Sequence, residues 1–108
     1  MVKQIVLAKI YFTDLSSFKL RPILLIKKYR DEDFLFLPLT TNLKIDGIKI
    51  TSRDLSRGKL KAPSIVIHPK IHTIHKSLFI KTIGELKTDI FNKILKEVCD
   101  ELGCSKLF

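Results

Sequence analysis

The chain has 108 residues, 45% of them hydrophobic, and 20 Lys and Arg against 11 Asp and Glu give it a formal charge of +9. That length suits a single domain over residues 1–108 that buries one core without disulfide or metal staples. No apolar run approaches the ~20 residues of a membrane span, and the N-terminus lacks the apolar core of a signal peptide, so a soluble, cytoplasmic protein is expected.

The charge is uneven. Residues 1–87 hold 17 basic and 7 acidic groups, while residues 88–108 hold 3 and 4. A basic body of this kind attracts polyanions, either nucleic acid or an acidic protein segment.

In chain order, residues 4–12 are β-branched and aromatic enough to predict a strand that is apolar on nearly both faces. A polar loop, 13–20, leads to Arg21-Pro22 and a second strand over 22–28. Proline fixes its own φ and holds the preceding residue extended, so Arg21 is expected at the mouth of that strand with little backbone freedom. The charged run Tyr29 to Asp33 reads as a tight hairpin connection. Residues 34–40 form a third strand apolar on both faces, irregular or edge-like at Pro38, which cannot donate to a ladder.

From Thr41 to Lys61 the pattern weakens. Asp46-Gly47 marks a turn before a short strand, Ile48-Lys49-Ile50, and residues 52–58 suggest one helical turn ended by Gly58. Strands return over 63–68 and 78–83, joined by a connecting block, 69–76, with Gly84 expected as a bulge or the exit of the last strand. The final element is a helix capped by Thr88 or Asp89. Its apolar stripe is Ile90, Phe91, Ile94, Leu95, Val98 and Leu102, and Gly103 terminates it. The fold class is therefore mainly β, a small antiparallel barrel with a C-terminal helix.

Few enzyme classes find their parts here. His68, His72 and His75 lack the companion ligands of a metal site and read as solvated or strand-end residues. Cys99 and Cys104 read as small apolar residues of the helix and its exit. There is no phosphate-binding glycine loop, no nucleophile elbow and no spacing for paired carboxylates. No metal or other cofactor is expected. What remains is Arg21, Lys19 and the hydroxyls of Ser16, Ser17, Thr40 and Thr41. Cations and hydroxyls at strand ends suit a phosphate whose nucleophile comes with the substrate. RNA carries such a nucleophile in its 2′-hydroxyl.

The run Phe12-Thr13-Asp14-Leu15-Ser16-Ser17 with Lys19 and Arg21-Pro22 is followed by Leu39-Thr40-Thr41, Pro63-Ser64-Ile65-Val66, Ile71-His72-Thr73-Ile74, Lys76-Ser77-Leu78 and Ile83-Gly84-Glu85-Leu86. In order and spacing this series resembles the MazF/PemK family of toxin endoribonucleases over almost the whole chain. Two departures are Lys3-Gln4, where the family usually begins its first strand with Gly-Asp, and Tyr11, where many members carry proline.

The resemblance implies an SH3-like barrel that forms a homodimer, binds single-stranded RNA and is held inactive by a cognate acidic antitoxin. It implies metal-independent cleavage of mRNA to 2′,3′-cyclic phosphate and 5′-hydroxyl ends. Arg21 and Thr40 match the catalytic arginine and threonine. Ser16, Ser17, Phe18 and Lys19 match the loop flanking the groove, and Thr41 joins the substrate-binding positions. Thr40 and Thr41 point to opposite faces of a regular strand, and Thr40 is the one expected to meet the substrate. Two alternatives stay open. One is a non-catalytic member of the fold that binds RNA or a partner. The other is a gyrase poison of the CcdB type, disfavoured because this chain has no Trp and ends Lys106-Leu107-Phe108.

Overall fold

The structure, a computed structural model, describes residues 2–11, 17–68 and 70–104. Its spine is three long antiparallel strands, β1 (Gln4–Tyr11), β2 (Phe18–Arg30) and β3 (Asp33–Thr40). Pairing runs Ile5 to Leu24 to Leu37 on one register line and Val6 to Ile23 to Pro38 on the next. Side chains alternate across a strand, so these two lines face opposite sides of the sheet. Both sides are apolar, as the doubly apolar sequence pattern predicts.

The first face builds the main core. Ile5, Leu24, Leu37 and Leu39 pack there against Phe91, Ile94 and Val98 of the helix α1 (Thr88–Leu102). Burying each large side chain contributes about 1.5–3 kcal/mol. The helix begins one residue earlier than the expected caps allow. Lys87 holds the N-cap position with no side-chain hydrogen bond, and Thr88 is already helical. Gly103 closes the helix in the left-handed conformation, φ 71°, as expected. That reversal brings Cys104 back over the last turn, where it is disulfide-bonded to Cys99 with Cα atoms 5.1 Å apart. The two cysteines are thus a cross-link, not merely small apolar residues.

The second face carries a smaller cluster of Val6, Ala8, Ile23, Leu25, Phe34, Phe36 and Ile74. It is covered by β7 (His72–His75), by the 3-10 turn Lys76–Leu78 and by the start of β8 (Phe79–Leu86). Phe79 packs on Phe34 with ring centroids 5.4 Å apart. The sequence left residues 69–76 as a connection, yet His72–His75 pairs with the first half of β3. Its second half, Leu39 and Thr40, pairs instead with β6 (Ser64–Val66), which also holds β4 (Ile48–Ile50). Pro38 sits where β3 changes partner, and its carbonyl accepts the Ile67 N–H at 3.0 Å. This is the irregularity its missing N–H requires.

Two further readings need correction. After a 3-10 turn at Ser52–Asp54 the chain extends as β5 (Leu55–Gly58), so Gly58 ends a strand. The β5 strand pairs with β8, and the whole curls into a half-barrel in the order β4-β6-β3-β2-β1-β8-β5. The β1–β8 register slips between Ile5–Gly84 and Val6–Thr82, which places the expected bulge at Ile83. The other correction concerns β2, which starts at Phe18 and not at Pro22, so Arg21 lies inside a strand. No helix among the described residues is long and apolar enough to cross a membrane.

Candidate functional site

The β2–β3 ladder ends at Ile23 paired with Pro38. Two residues further along each strand, on the same face, stand Arg21 and Thr40. Past this last pair the strands part, because Arg21 stays paired to Ala8 of β1 while Thr40 pairs with Ile65 of β6. The parting opens a cavity of about 760 Å³ lined by both residues. Its apolar floor continues the second core cluster through Ile23, Phe36 and Ile74. Its polar wall adds Lys9, Tyr11, Lys70, His72, Thr73 and His75.

The electrostatics follow from this lining. No carboxylate of a described residue faces the cavity, whereas Lys9, Arg21 and Lys70 do. Arg21 is exposed, and its guanidinium has no hydrogen bond or ion pair with a described residue. The Lys9 ammonium lies 5.1 Å from the centroid of the Phe18 ring. Thr40 Oγ1 accepts the Asn42 N–H at 3.1 Å. A hydroxyl that already accepts one bond still has its proton to donate.

Arg21 and Thr40 are therefore brought together in space, though 19 positions separate them in sequence. Thr41 is exposed and outside the cavity lining, in a bend just past the end of β3 at Thr40. Phe18 is 43% exposed, so it is not a core anchor; it packs on Tyr11 with centroids 5.5 Å apart. Ser17 and Lys19 are exposed near the start of β2, outside the lining, and Ser16 lies outside the described residues.

The three histidines separate. His68 is buried, contrary to the solvated reading, with its Nδ1 3.9 Å from Glu101 Oε1 and without a hydrogen bond to any described residue. His75 uses Nδ1 to accept the Ser77 N–H at 3.1 Å, capping the 3-10 turn. His72 stacks on Phe36. No group of three His, Cys, Asp or Glu side chains suited to a metal ion occurs among the described residues. Sequence reasoning missed Lys9, Lys70 and His72. The signal for His72 was its spacing of two from apolar Ile74, which puts both on one face of a strand.

The sequence matches the family model of the PemK-like, MazF-like toxins of type II toxin-antitoxin systems over residues 4–102. The chain belongs to the MazF/PemK toxin family. Two solved structures share the fold of this MazF/PemK toxin. The Mycobacterium tuberculosis toxin MazF-mt6 aligns over 93% of this chain and 96% of its own, with TM-score 0.68 and 20% identity. An endoribonuclease in complex with its cognate antitoxin, from a mycobacterial species, aligns over 95% and 94%, with TM-score 0.63 and 15% identity. No curated protein matches the sequence. The mainly β architecture with one C-terminal helix, read from the strand and helix patterns and implied again by the MazF/PemK resemblance, is the one observed.

Proposed function

We propose that this toxin is a metal-independent endoribonuclease that cuts single-stranded RNA, with mRNA as its cellular target. The observation that supports the reading is the convergence on one basic cavity of an arginine unpaired among the described residues and a threonine hydroxyl that accepts a bond and keeps its own proton. The 2′-hydroxyl gives up its proton to solvent as its oxygen attacks the adjacent phosphorus, the bond to the 5′-oxygen breaks, and that oxygen takes a proton from solvent, leaving a 2′,3′-cyclic phosphate and a 5′-hydroxyl. A guanidinium holds its proton tightly in neutral solution and is a poor base. The role of Arg21 is to neutralise charge growing on the non-bridging oxygens, with Thr40 donating a hydrogen bond to the same phosphate.

The partners of this reading are a second copy of the chain and an acidic antitoxin segment that competes with RNA for the cavity, all in the cytoplasm. A fold relative solved with its cognate antitoxin supports the second of these. Incubation of the purified protein with mixed-sequence single-stranded RNA in EDTA tests the activity. Cleavage that leaves cyclic phosphate ends and is lost in Arg21→Ala is expected. RNA left intact by the wild type, or cut equally well by the variant, overturns the assignment.

A further inference from the structure

We infer that His72 and Phe36 form a stacking platform for a nucleobase of the bound RNA, displaced along the strand from the phosphate that reacts. This inference rests on the ribonuclease reading above. His72 is paired directly with Phe36 across the β3–β7 ladder, so both side chains stand on the face that carries Pro38 and Thr40. The two rings lie 5.6 Å apart between centroids and are inclined by 32°. Phe36 is buried at 5% exposure and fixes the imidazole from below. His72 itself is exposed and lines the cavity. Neither of its ring nitrogens bonds a described residue, in contrast to His75, whose Nδ1 caps a turn. An immobilised aromatic face open to a basic cavity is what stacks an unpaired base, and Lys70, two residues earlier, is placed to hold a phosphate beside it.

Distance decides between this role and proton transfer at the scissile phosphate. His72 sits at the level of Phe36, four residues along β3 from Thr40, or about 13 Å of extended strand. A general base must lie within hydrogen-bond reach of the proton it takes. That span places His72 beside a neighbouring nucleotide. The other groups on the same cavity wall, Lys9, Tyr11, Arg21 and His75, leave His72 as the ring standing directly on buried Phe36.

The test measures binding of a mixed-sequence 2′-O-methyl RNA, which lacks the nucleophile, alongside steady-state cleavage of the matching RNA. Relative to wild type, His72→Ala is expected to weaken binding about tenfold or more, with His72→Phe restoring it to within about threefold. In cleavage the loss for His72→Ala is expected in KM and not in kcat. Equal binding by wild type and His72→Ala overturns the platform, as does a fall in kcat at unchanged KM, which marks a proton-transfer role. Failure of the wild type to bind or cut RNA overturns the ribonuclease reading and the platform with it. Cleavage by wild type that His72→Ala leaves unchanged removes the platform alone. Because His72 is exposed, both variants are expected to fold, and matching thermal melts check this.

Discussion

Thr40 Oγ1 accepts the backbone N–H of Asn42 at 3.1 Å, which fixes the hydroxyl just beyond the point where β2 and β3 part. With that lone pair committed, the remaining proton is available to the phosphate that Arg21 is proposed to hold. Thr40→Val keeps the shape and removes the donor. Losing a preorganised donor of this kind costs on the order of 10²–10³ in rate, so kcat is expected to fall by about that factor. Thr40→Ser, which keeps the hydroxyl, is expected to stay within about tenfold of wild type. Thr41→Val is expected to have the smaller effect of the two valine variants. Single-turnover cleavage of one RNA by the three variants checks the order, and equal loss at positions 40 and 41 contradicts the facing argument.

Lys70 reaches the cavity with no ion pair to a described residue, whereas Lys9 lies against the Phe18 ring. A lysine that neutralises one phosphate releases counterions, and the binding constant then falls with salt by about 0.7 logarithmic units per phosphate for a single strand. Lys70→Ala is expected to lower RNA affinity at low salt and to flatten the plot of log K against log salt by about that slope. Fluorescence anisotropy between 50 and 300 mM salt, about the range in which such slopes are read, is the measurement. An unchanged slope places Lys70 outside the RNA path.

The large elements were legible because their burial is regular. The runs of β1 and β3 that are apolar on both faces and the stripe Phe91, Ile94, Val98 on α1 are signals that burial itself writes into a sequence. The elements missed are those whose sequence carries little of it. In β5 only Leu55 is buried, and in β7 only Ile74, so these four-residue strands read as a helical turn and a connection. The first four residues of β2, Phe18 to Arg21, are all exposed, which hid the true start of the strand. The site divides in the same way. Arg21 and Thr40 stood out as a cation and a hydroxyl at strand ends, with their roles taken from resemblance, and the lining by Lys9, Lys70 and His72 depends on pairings between distant strands that no local pattern reveals.

Arg57 and Glu85 join β5 to β8 through an ion pair of 2.6 Å at the open edge of the sheet. The hydrogen bond from Arg57 holds the Glu85 carboxyl below its ordinary value, with smaller contributions from the charge of Arg57 and of Lys3. A carboxylate whose pKa is depressed on folding contributes stability above its unfolded pKa and loses it as pH falls through the folded one. The contribution is small, because the Arg57 side chain is 71% exposed and solvent screens the pair. Arg57→Gln is expected to move the Glu85 titration upward, and to make stability fall less steeply than in wild type as the solution is acidified through the carboxylate range. Carboxyl NMR titration of both proteins checks the direction, and a Glu85 that titrates identically in the two removes the pair as the cause.

Lys3 and Gly58 both hold positive φ, 71° and 85°, and substitution is expected to act on them with opposite sign. An L-residue in the left-handed region is disfavoured by roughly 1–2 kcal/mol. Lys3 occupies that region where MazF/PemK relatives usually carry glycine, and it is kept there by bonds on both sides. Its N–H donates to Leu25 O at 3.0 Å, and its carbonyl accepts the Leu86 N–H at 2.8 Å. Lys3→Gly relieves the conformation at some cost in unfolded-chain entropy, so a net gain of about 0.5–1 kcal/mol is expected. Gly58 has no such freedom to change. A Cβ there would lie 2.2 Å from the Ile83 carbonyl oxygen and 2.4 Å from Gly84 Cα, both backbone atoms of the bulged strand. Gly58→Ala is expected to destabilise by about 2 kcal/mol or more, because strain and clash add. Urea unfolding of the two variants reads the signs directly; a stabilised Gly58→Ala contradicts the packing of β5 on β8, and a destabilised Lys3→Gly means the Lys3 side chain, whose Nζ donates to Thr88 Oγ1 at 3.2 Å, outweighs the backbone strain.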